Sequence, residues 1–85
     1  MSRQRLEQFD YCFLTRDDPE SGWKTGDACT VLDRVPYEHW IVEMSDSARQ
    51  RRLDEMGWTE DHPSALLIDD TPTLPEYMLQ RALYI

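Results

Sequence analysis

The sequence predicts a small α+β domain, with a mostly antiparallel sheet of three to four strands and two helices in the order β-β-β-α-β-α. In the first half of the chain, apolar and aromatic residues alternate every second position, which is typical of half-buried strands. In the second half, two segments begin with capping-box pairs, which favour helix starts. Elements in this order are expected to form a sheet with both helices on one face.

Residues 1–85 are expected to form a single domain. The composition is 40% hydrophobic and 11% aromatic, which is typical of a folded chain rather than a disordered one. A chain of this length buries roughly 60–65% of its unfolded surface, so the core is small. Residues 1–7 are polar, and we expect them to be frayed or to form a short helical start.

The first three strands are predicted at residues 9–15, 28–33 and 37–44, where apolar side chains alternate or β-branched residues are frequent. The segment RDDPESGWKTGD between the first two contains proline and glycine residues and is a predicted loop. The resulting hairpin places Cys12 and Cys29 roughly opposite each other. We expect small buried thiols there rather than a disulfide.

The first helix is predicted from a change of period after the third strand. Ser47 and Gln50 have the spacing of a capping box at its start. Gly57 is expected to end it in a left-handed conformation, with Leu53 and Trp58 making the apolar contact of a Schellman motif. Few other residues of this helix are apolar, so we expect it to lie on the surface with a narrow buried stripe.

A fourth strand is predicted at residues 64–68, followed by the second helix. Thr73 and Glu76 form another capping box, so this helix is predicted to run from Leu74 to near the last residue, Ile85. Its apolar arc is wider than one sheet face needs. Deep burial is the favoured explanation because a small domain needs its apolar residues, and the alternative is packing against a second chain.

The charge is strongly negative: 17 acidic residues against nine basic ones give a net charge of −8. Such a surface disfavours direct binding to nucleic acid or to anionic lipid, because both require Lys and Arg side chains. It attracts basic partners and accelerates encounter with them. The alternative is that the charge serves solubility alone.

The expected location is the cytoplasm. The N-terminus contains acidic residues and no apolar run of signal-peptide length. The longest unbroken apolar run covers residues 65–68, far less than a membrane span needs. Two cysteines do not make the disulfide framework of a small secreted domain.

Asp69 and Asp70 form the most conspicuous candidate site for metal or catalytic chemistry. Two carboxylates could bind a divalent cation, with further ligands from Glu60, Asp61 or His62. However, neighbouring side chains on an extended backbone point in opposite directions. Aspartates are also common in turns, and we favour the turn interpretation.

Other residues offer weaker chemistry. A pair of one cysteine with His39 lacks any nucleophile signature, and no metal, nucleotide or cofactor motif is present. We therefore expect no cofactor and favour a non-enzymatic function, with a small enzyme left as an alternative. Arg49, Arg51 and Arg52 form the one dense basic run, which is suited to a phosphate or to a partner carboxylate. We favour local neutralisation by nearby acids at helical spacing.

The favoured hypothesis is a non-enzymatic acidic module that occludes a basic surface of a partner protein, in its sharpest form an inhibitor of phage or plasmid type that mimics nucleic acid. The expected contact residues are Asp17, Asp18, Glu20, Trp23, Glu60 and Asp61. Trp23 has an alternative role as a cover for one end of the core. One alternative function is a structural or regulatory subunit that oligomerises through residues 74–85, and a second is a metal-binding protein or enzyme using Asp69, Asp70 and His62.

Overall fold

One antiparallel sheet of five strands and one α-helix make up the structure, a computed structural model that describes residues 6–82. The elements in chain order are β1 (Tyr11–Leu14), β2 (Ala28–Val35), β3 (His39–Met44), α1 (Asp46–Met56), β4 (Thr73–Pro75) and β5 (Leu79–Arg81). The strands lie in the order β4-β3-β2-β1-β5. The predicted α+β class is confirmed, whereas the predicted numbers of strands and helices are wrong.

The core lies on one face of the sheet. Its strand residues alternate with exposed or half-buried ones, and they are Cys12, Leu14, Cys29, Val31, Trp40, Val42 and Met44. Ala48 of α1 packs into the same cluster. Leu6 also belongs to it, so the expected frayed start does not include this residue, and residues 1–5 lie outside the described part. On the opposite face, Tyr11 and Phe13 remain more than a third exposed.

The predicted hairpin of β1 and β2 is confirmed, including its long connection at residues 15–27, which we call the first loop. Cys12 pairs directly with Cys29 across the two strands, as expected, and both are free buried thiols. The third strand begins at His39 rather than at residue 37. Tyr37 and Glu38 instead form the turn before it, with φ values of 65° and 57°.

The N-cap of α1 lies two residues earlier than predicted. Ser45, not Ser47, is the N-cap, and its hydroxyl accepts a hydrogen bond from the backbone N–H of Ala48. The predicted end is confirmed. Gly57 has φ 72°, and the N–H of Trp58 donates to the carbonyl of Leu53 at 2.9 Å, which is the long hydrogen bond of the Schellman motif.

The predicted fourth strand at residues 64–68 is wrong. The segment Pro63–Leu67 is a 3-10 helix, with proline at its first position and the ring of His62 accepting a hydrogen bond from the N–H of Ser64. A 3-10 helix has three residues per turn, so only every third side chain points to the same side. Only Ala65 is buried in it, while Leu66 and Leu67 are 86% and 82% exposed.

The predicted second helix is also wrong. Thr73–Pro75 pairs with β3 as β4, and Leu79–Arg81 pairs with β1 as β5, with the short 3-10 segment Glu76–Met78 between them. The sheet thereby gains a strand at each edge, because this segment passes from β3 at one side to β1 at the other. The unpaired backbone groups of β1 and β3 thus override a local helix signal.

Burial explains the apolar composition of this segment. Leu74, Met78 and Leu79 are each at most 4% exposed. The oligomerisation hypothesis therefore loses the apolar helix on which it depended. The last three residues of that predicted helix, Leu83, Tyr84 and Ile85, lie outside the described part. Within residues 6–82, no helix has the length and apolar character needed to cross a membrane.

The buried thiols lead to a test of the core. Burial raises the pKa of Cys12 to about 11 and that of Cys29 to about 12, with nearby negative charge adding to both shifts. We expect neither thiol to react with a thiol reagent at pH 8 until the protein is unfolded. Because the unfolded chain releases these protons from near pH 9, stability should fall as pH rises from 9 towards 12.

Thiol labelling followed by mass spectrometry, with and without denaturant, measures the first effect, and denaturant unfolding at a series of pH values from 9 towards 12 measures the second. Rapid labelling of Cys12 and Cys29 in the native protein would contradict this description of the core.

Candidate functional site

A groove of about 550 Å³ lies where the first loop, the C-terminal part of α1 and the connection from α1 to β4 (residues 57–72) meet. Three carboxylates line it, from Asp18, Glu20 and Asp69. Its apolar lining consists of Met56, Trp58, Leu67, Ile68 and Pro72. We call this feature the acidic groove.

The first loop is held in a compact conformation by its own backbone. The N–H of Asp18 donates to the carbonyl of Trp23, and the N–H of Gly22 donates to the carbonyl of Asp18, both at 2.8 Å. The Asp18 carboxylate accepts a hydrogen bond from the hydroxyl of Ser21 at 2.6 Å. These contacts fix the position of Asp18 at the acidic groove before any partner is present.

Arg52 joins this loop to α1. Its guanidinium lies over the ring of Trp23, 5.2 Å from the ring centre, and donates to the backbone carbonyl of Ser21. The loop can approach so closely because residue 22 is glycine. A Cβ at Gly22 would overlap the Nη1 atom of Arg52. Arg52 Nε is buried without a hydrogen-bond partner, which is a cost of this arrangement.

Arg49 joins the other side of the acidic groove to α1. Its Nη1 donates to both carboxylate oxygens of Asp70, at 2.8 and 2.9 Å. Its Nε donates to Glu60 at 2.8 Å, and its Nη2 donates to the backbone carbonyl of Ala65. The hydrogen bonds to the Glu60 and Asp70 carboxylates raise the pKa of Arg49 above its ordinary value.

Arg51 pairs with the one buried charged residue of residues 6–82. Asp27 is 4% exposed, and its carboxylate accepts hydrogen bonds from Arg51 at 2.6 and 2.7 Å. It also accepts from the N–H of Lys24, which closes the end of the first loop. The hydrogen bonds to Asp27 raise the pKa of Arg51. Glu55, one helical turn away, contributes a second ion pair.

The arginine run is therefore engaged inside the molecule. Arg49 and Arg51 pair with acids, as the neutralisation interpretation predicted, although mostly with acids other than those expected. Among residues 6–82, Arg52 pairs with no acid and contacts Ser21 and Trp23 instead. Local spacing pointed to acids within or beside α1, and of these only Glu55 pairs with an arginine. The principal partners, Asp27, Glu60 and Asp70, come from segments distant in sequence. Sequence spacing carries no signal for contacts of this kind.

The predicted contact residues fall into different environments. Asp18 and Glu20 line the acidic groove. Asp17 is exposed, and hydrogen bonds from the backbone and hydroxyl of Thr25 lower its pKa. Trp23 is 1% exposed, so it covers the core and its side chain is not available to a partner.

The second predicted group, Glu60 and Asp61, does not line the acidic groove. Glu60 is paired with Arg49, whereas Asp61 is exposed. The third carboxylate of the groove, beside Asp18 and Glu20 of the first loop, belongs instead to Asp69. The sequence suggests only a metal-ligand or turn role for this residue. Its role depends on the packing of two loops against α1, so no local pattern could have identified it.

Asp69 and Asp70 behave as turn residues. The Asp69 carboxylate accepts a hydrogen bond from the N–H of Thr71 at 3.0 Å, and Asp70 is held by Arg49. The ring of His62 stacks on Trp58 with ring centres 4.4 Å apart. Within residues 6–82, no three His, Cys, Asp or Glu side chains are grouped so that they could hold a metal ion.

The cysteines are likewise separated from the nearest histidine of the sheet. His39 pairs with Val35, six residues along β2 from Cys29, and its Nδ1 lies 2.7 Å from the carbonyl of Tyr37. A nucleophile–base pair of a cysteine with His39 does not form.

No family model, no curated protein and no solved structure shows a significant match to this chain.

The buried ion pair should dominate the stability of the first loop. We expect Asp27→Ala to lower the free energy of unfolding by about 3 kcal/mol, because it removes a buried partner of Arg51 and the acceptor of the Lys24 N–H. Asp54→Ala, which removes only an exposed contact to Gln50, should cost about 0.5 kcal/mol or less. Chemical denaturation measures both, and equal costs would contradict the importance of the buried pair.

The two glycines of the first loop provide a second test. Gly22 and Gly26 both have positive φ, at 84° and 90°, but only a Cβ at Gly22 would meet other atoms within 4 Å. Gly26→Ala should cost about 1 kcal/mol from backbone strain alone. Gly22→Ala should cost about 2 kcal/mol, because the guanidinium of Arg52 must also move and lose its contacts with Ser21 and Trp23.

The excess cost of Gly22→Ala should largely disappear in an Arg52→Met background, measured as a double-mutant cycle by denaturation. Additive effects of the two substitutions would show that the packing of Arg52 against Gly22 does not hold the loop.

Proposed function

We propose that this chain is a non-enzymatic acidic module that binds a partner protein and occludes a basic surface on it. The observation that carries the proposal is the acidic groove, where Asp18, Glu20 and Asp69 come together. Ion pairs among residues 6–82 involve none of these three carboxylates. A cation supplied by a partner would therefore meet carboxylates that no described base neutralises.

The distribution of internal ion pairs supports the same proposal. All 17 acidic residues lie within the described part of the chain, and only five of them form ion pairs there: Asp10, Asp27, Glu55, Glu60 and Asp70. Arg49, Arg51 and Arg52 are engaged with α1's neighbouring segments rather than presented to solvent as a basic patch. The remaining carboxylates give the surface a strong negative potential, which attracts and orients basic partners.

In its sharper form, the proposal is that the partner binds nucleic acid and that the carboxylates take the places of phosphates. Carboxylates and phosphates are both recognised by arginine through paired hydrogen bonds. Occlusion then needs no reaction, only a surface that competes for the same arginines. Asp17 and Asp61 are exposed and do not line the groove, so they are candidate contacts outside it, which is consistent with a phage- or plasmid-type inhibitor.

Affinity capture with matched charge variants tests the proposal. The tagged chain is incubated with lysate of the native cell or its host, and bound proteins are identified by mass spectrometry at low and high salt. The groove variant carries Asp18→Asn, Glu20→Gln and Asp69→Asn. The control variant carries Asp33→Asn, Glu38→Gln and Glu43→Gln, three exposed acids outside the groove, so that both variants lose three charges.

We expect a basic protein that is retained at low salt and lost at high salt, because exposed charges are screened by ions. With the purified partner, the groove variant should bind about tenfold more weakly, and the control variant should bind within about threefold of the original chain. An affinity that does not change with salt, or an equal loss in both variants, would contradict the proposal that the groove contacts a basic surface.

A further inference from the structure

The acidic groove combines charge with an apolar surface. Asp18, Glu20 and Asp69 line the same cavity as Trp58 and Leu67. Its volume of about 550 Å³ lies in the range of clefts that bind small ligands or a few side chains. A flat acidic face would suffice for electrostatic occlusion, so the groove points to a more specific ligand.

Leu67 is the most unusual part of this lining. It is 82% exposed, and the adjacent Leu66 is 86% exposed. The 3-10 helix directs Ala65 into the core and leaves both leucines in solvent. Large exposed apolar residues beside polar ones are typical of protein-binding surfaces. Of the two leucines, only Leu67 lines the acidic groove.

The apolar lining is held in place before binding. The ring of Trp58 stacks on His62 with an angle of 10° between the rings. The backbone N–H of Trp58 donates to the carbonyl of Leu53 at the end of α1. Arg49 donates to the carbonyl of Ala65, which fixes the segment that carries Leu67. A site that is already ordered loses less conformational entropy when a ligand binds.

The charge of the groove selects among ligands. Arg52 also lines it, but its guanidinium is engaged with Ser21 and Trp23 and makes no ion pair with the groove carboxylates within the described part of the chain. A purely apolar ligand would desolvate Asp18 and Asp69 without supplying partners for them. A purely basic ligand would leave Leu67 in water.

We propose that the acidic groove binds one linear segment of the partner, in which an arginine or lysine lies next to a large apolar residue. The cation pairs with the groove carboxylates, and the apolar side chain packs on Leu67 and Trp58. This inference rests on the proposed function, since it names the part of the basic partner that enters the groove. Positive charge complements the three carboxylates, and an apolar neighbour complements the exposed lining.

Synthetic peptides test this specificity directly. The probe is a dye-labelled peptide of alternating Leu and Arg residues, measured by fluorescence anisotropy at low salt. Two control peptides replace Leu by Ser, or Arg by Ser, at every position. We expect the mixed peptide to bind at least about tenfold more tightly than either control, because each control lacks one of the two complementary interactions.

The two leucines of the 3-10 helix provide matched variants. Both are exposed, so neither Leu67→Ser nor Leu66→Ser should affect folding, which circular dichroism verifies. Leu67→Ser should weaken the mixed peptide about fivefold, while Leu66→Ser should change its affinity less than twofold. Absence of binding, equal binding of the mixed and purely basic peptides, or insensitivity to Leu67→Ser would overturn the inference.

The same variants separate this inference from the proposed function. If the groove variant loses the basic partner but Leu67→Ser retains it fully, the chain acts through charge alone and the mixed-segment inference fails. If capture of the partner does not depend on salt, the proposed function fails, whatever the peptides do.

Discussion

Three arginines of α1 hold the first loop and the connection from α1 to β4 against this helix. The helix itself buries only Ala48 and Leu53, which is too little apolar surface to organise two long connections. Arg51 and Arg52 instead bind the first loop, and Arg49 binds the connection from α1 to β4, each through carboxylate or backbone oxygens. Because one partner, Asp27, is buried, these contacts are costly to break and fix where the segments lie.

The acidic groove is a consequence of this arrangement. Arg52 determines the position of the first loop, and Arg49 determines the position of the connection that carries Leu67 and Asp69. The three arginines of α1 are thereby used internally and do not balance the carboxylates of the groove. A chain with 17 acids and nine bases is left with most of its carboxylates unpaired within the described residues, which is the physical basis of the proposed binding to a basic surface.

The sequence predicted those features that depend on neighbouring residues. The Schellman end at Gly57 and the pairing of Cys12 with Cys29 follow from local periodicity and from a single hairpin. The capping-box signal at Thr73 failed because this segment completes both edges of the sheet, and tertiary pairing overrode local propensity. The run at residues 64–68 failed because a short apolar segment does not distinguish a strand from a helical turn.

The candidate site was predictable only in part, because it depends on contacts between segments that are distant in sequence. The acidic character of the first loop is visible in the sequence, and Asp18 and Glu20 do line the groove. Asp69 and Leu67 reach them through contacts of Arg49 with residues 11 to 21 positions away. Trp23 was considered a contact residue because of its acidic surroundings, but the guanidinium of Arg52 and the core enclose it.

The most direct test of this account is hydrogen exchange of the chain with and without its captured basic partner. We expect protection on binding to concentrate in residues 18–23 and 64–73, on the two sides of the acidic groove. Protection confined to the open sheet face around Tyr11 and Phe13, or to the exposed turn at Tyr37, would show that the partner binds elsewhere and would contradict the account.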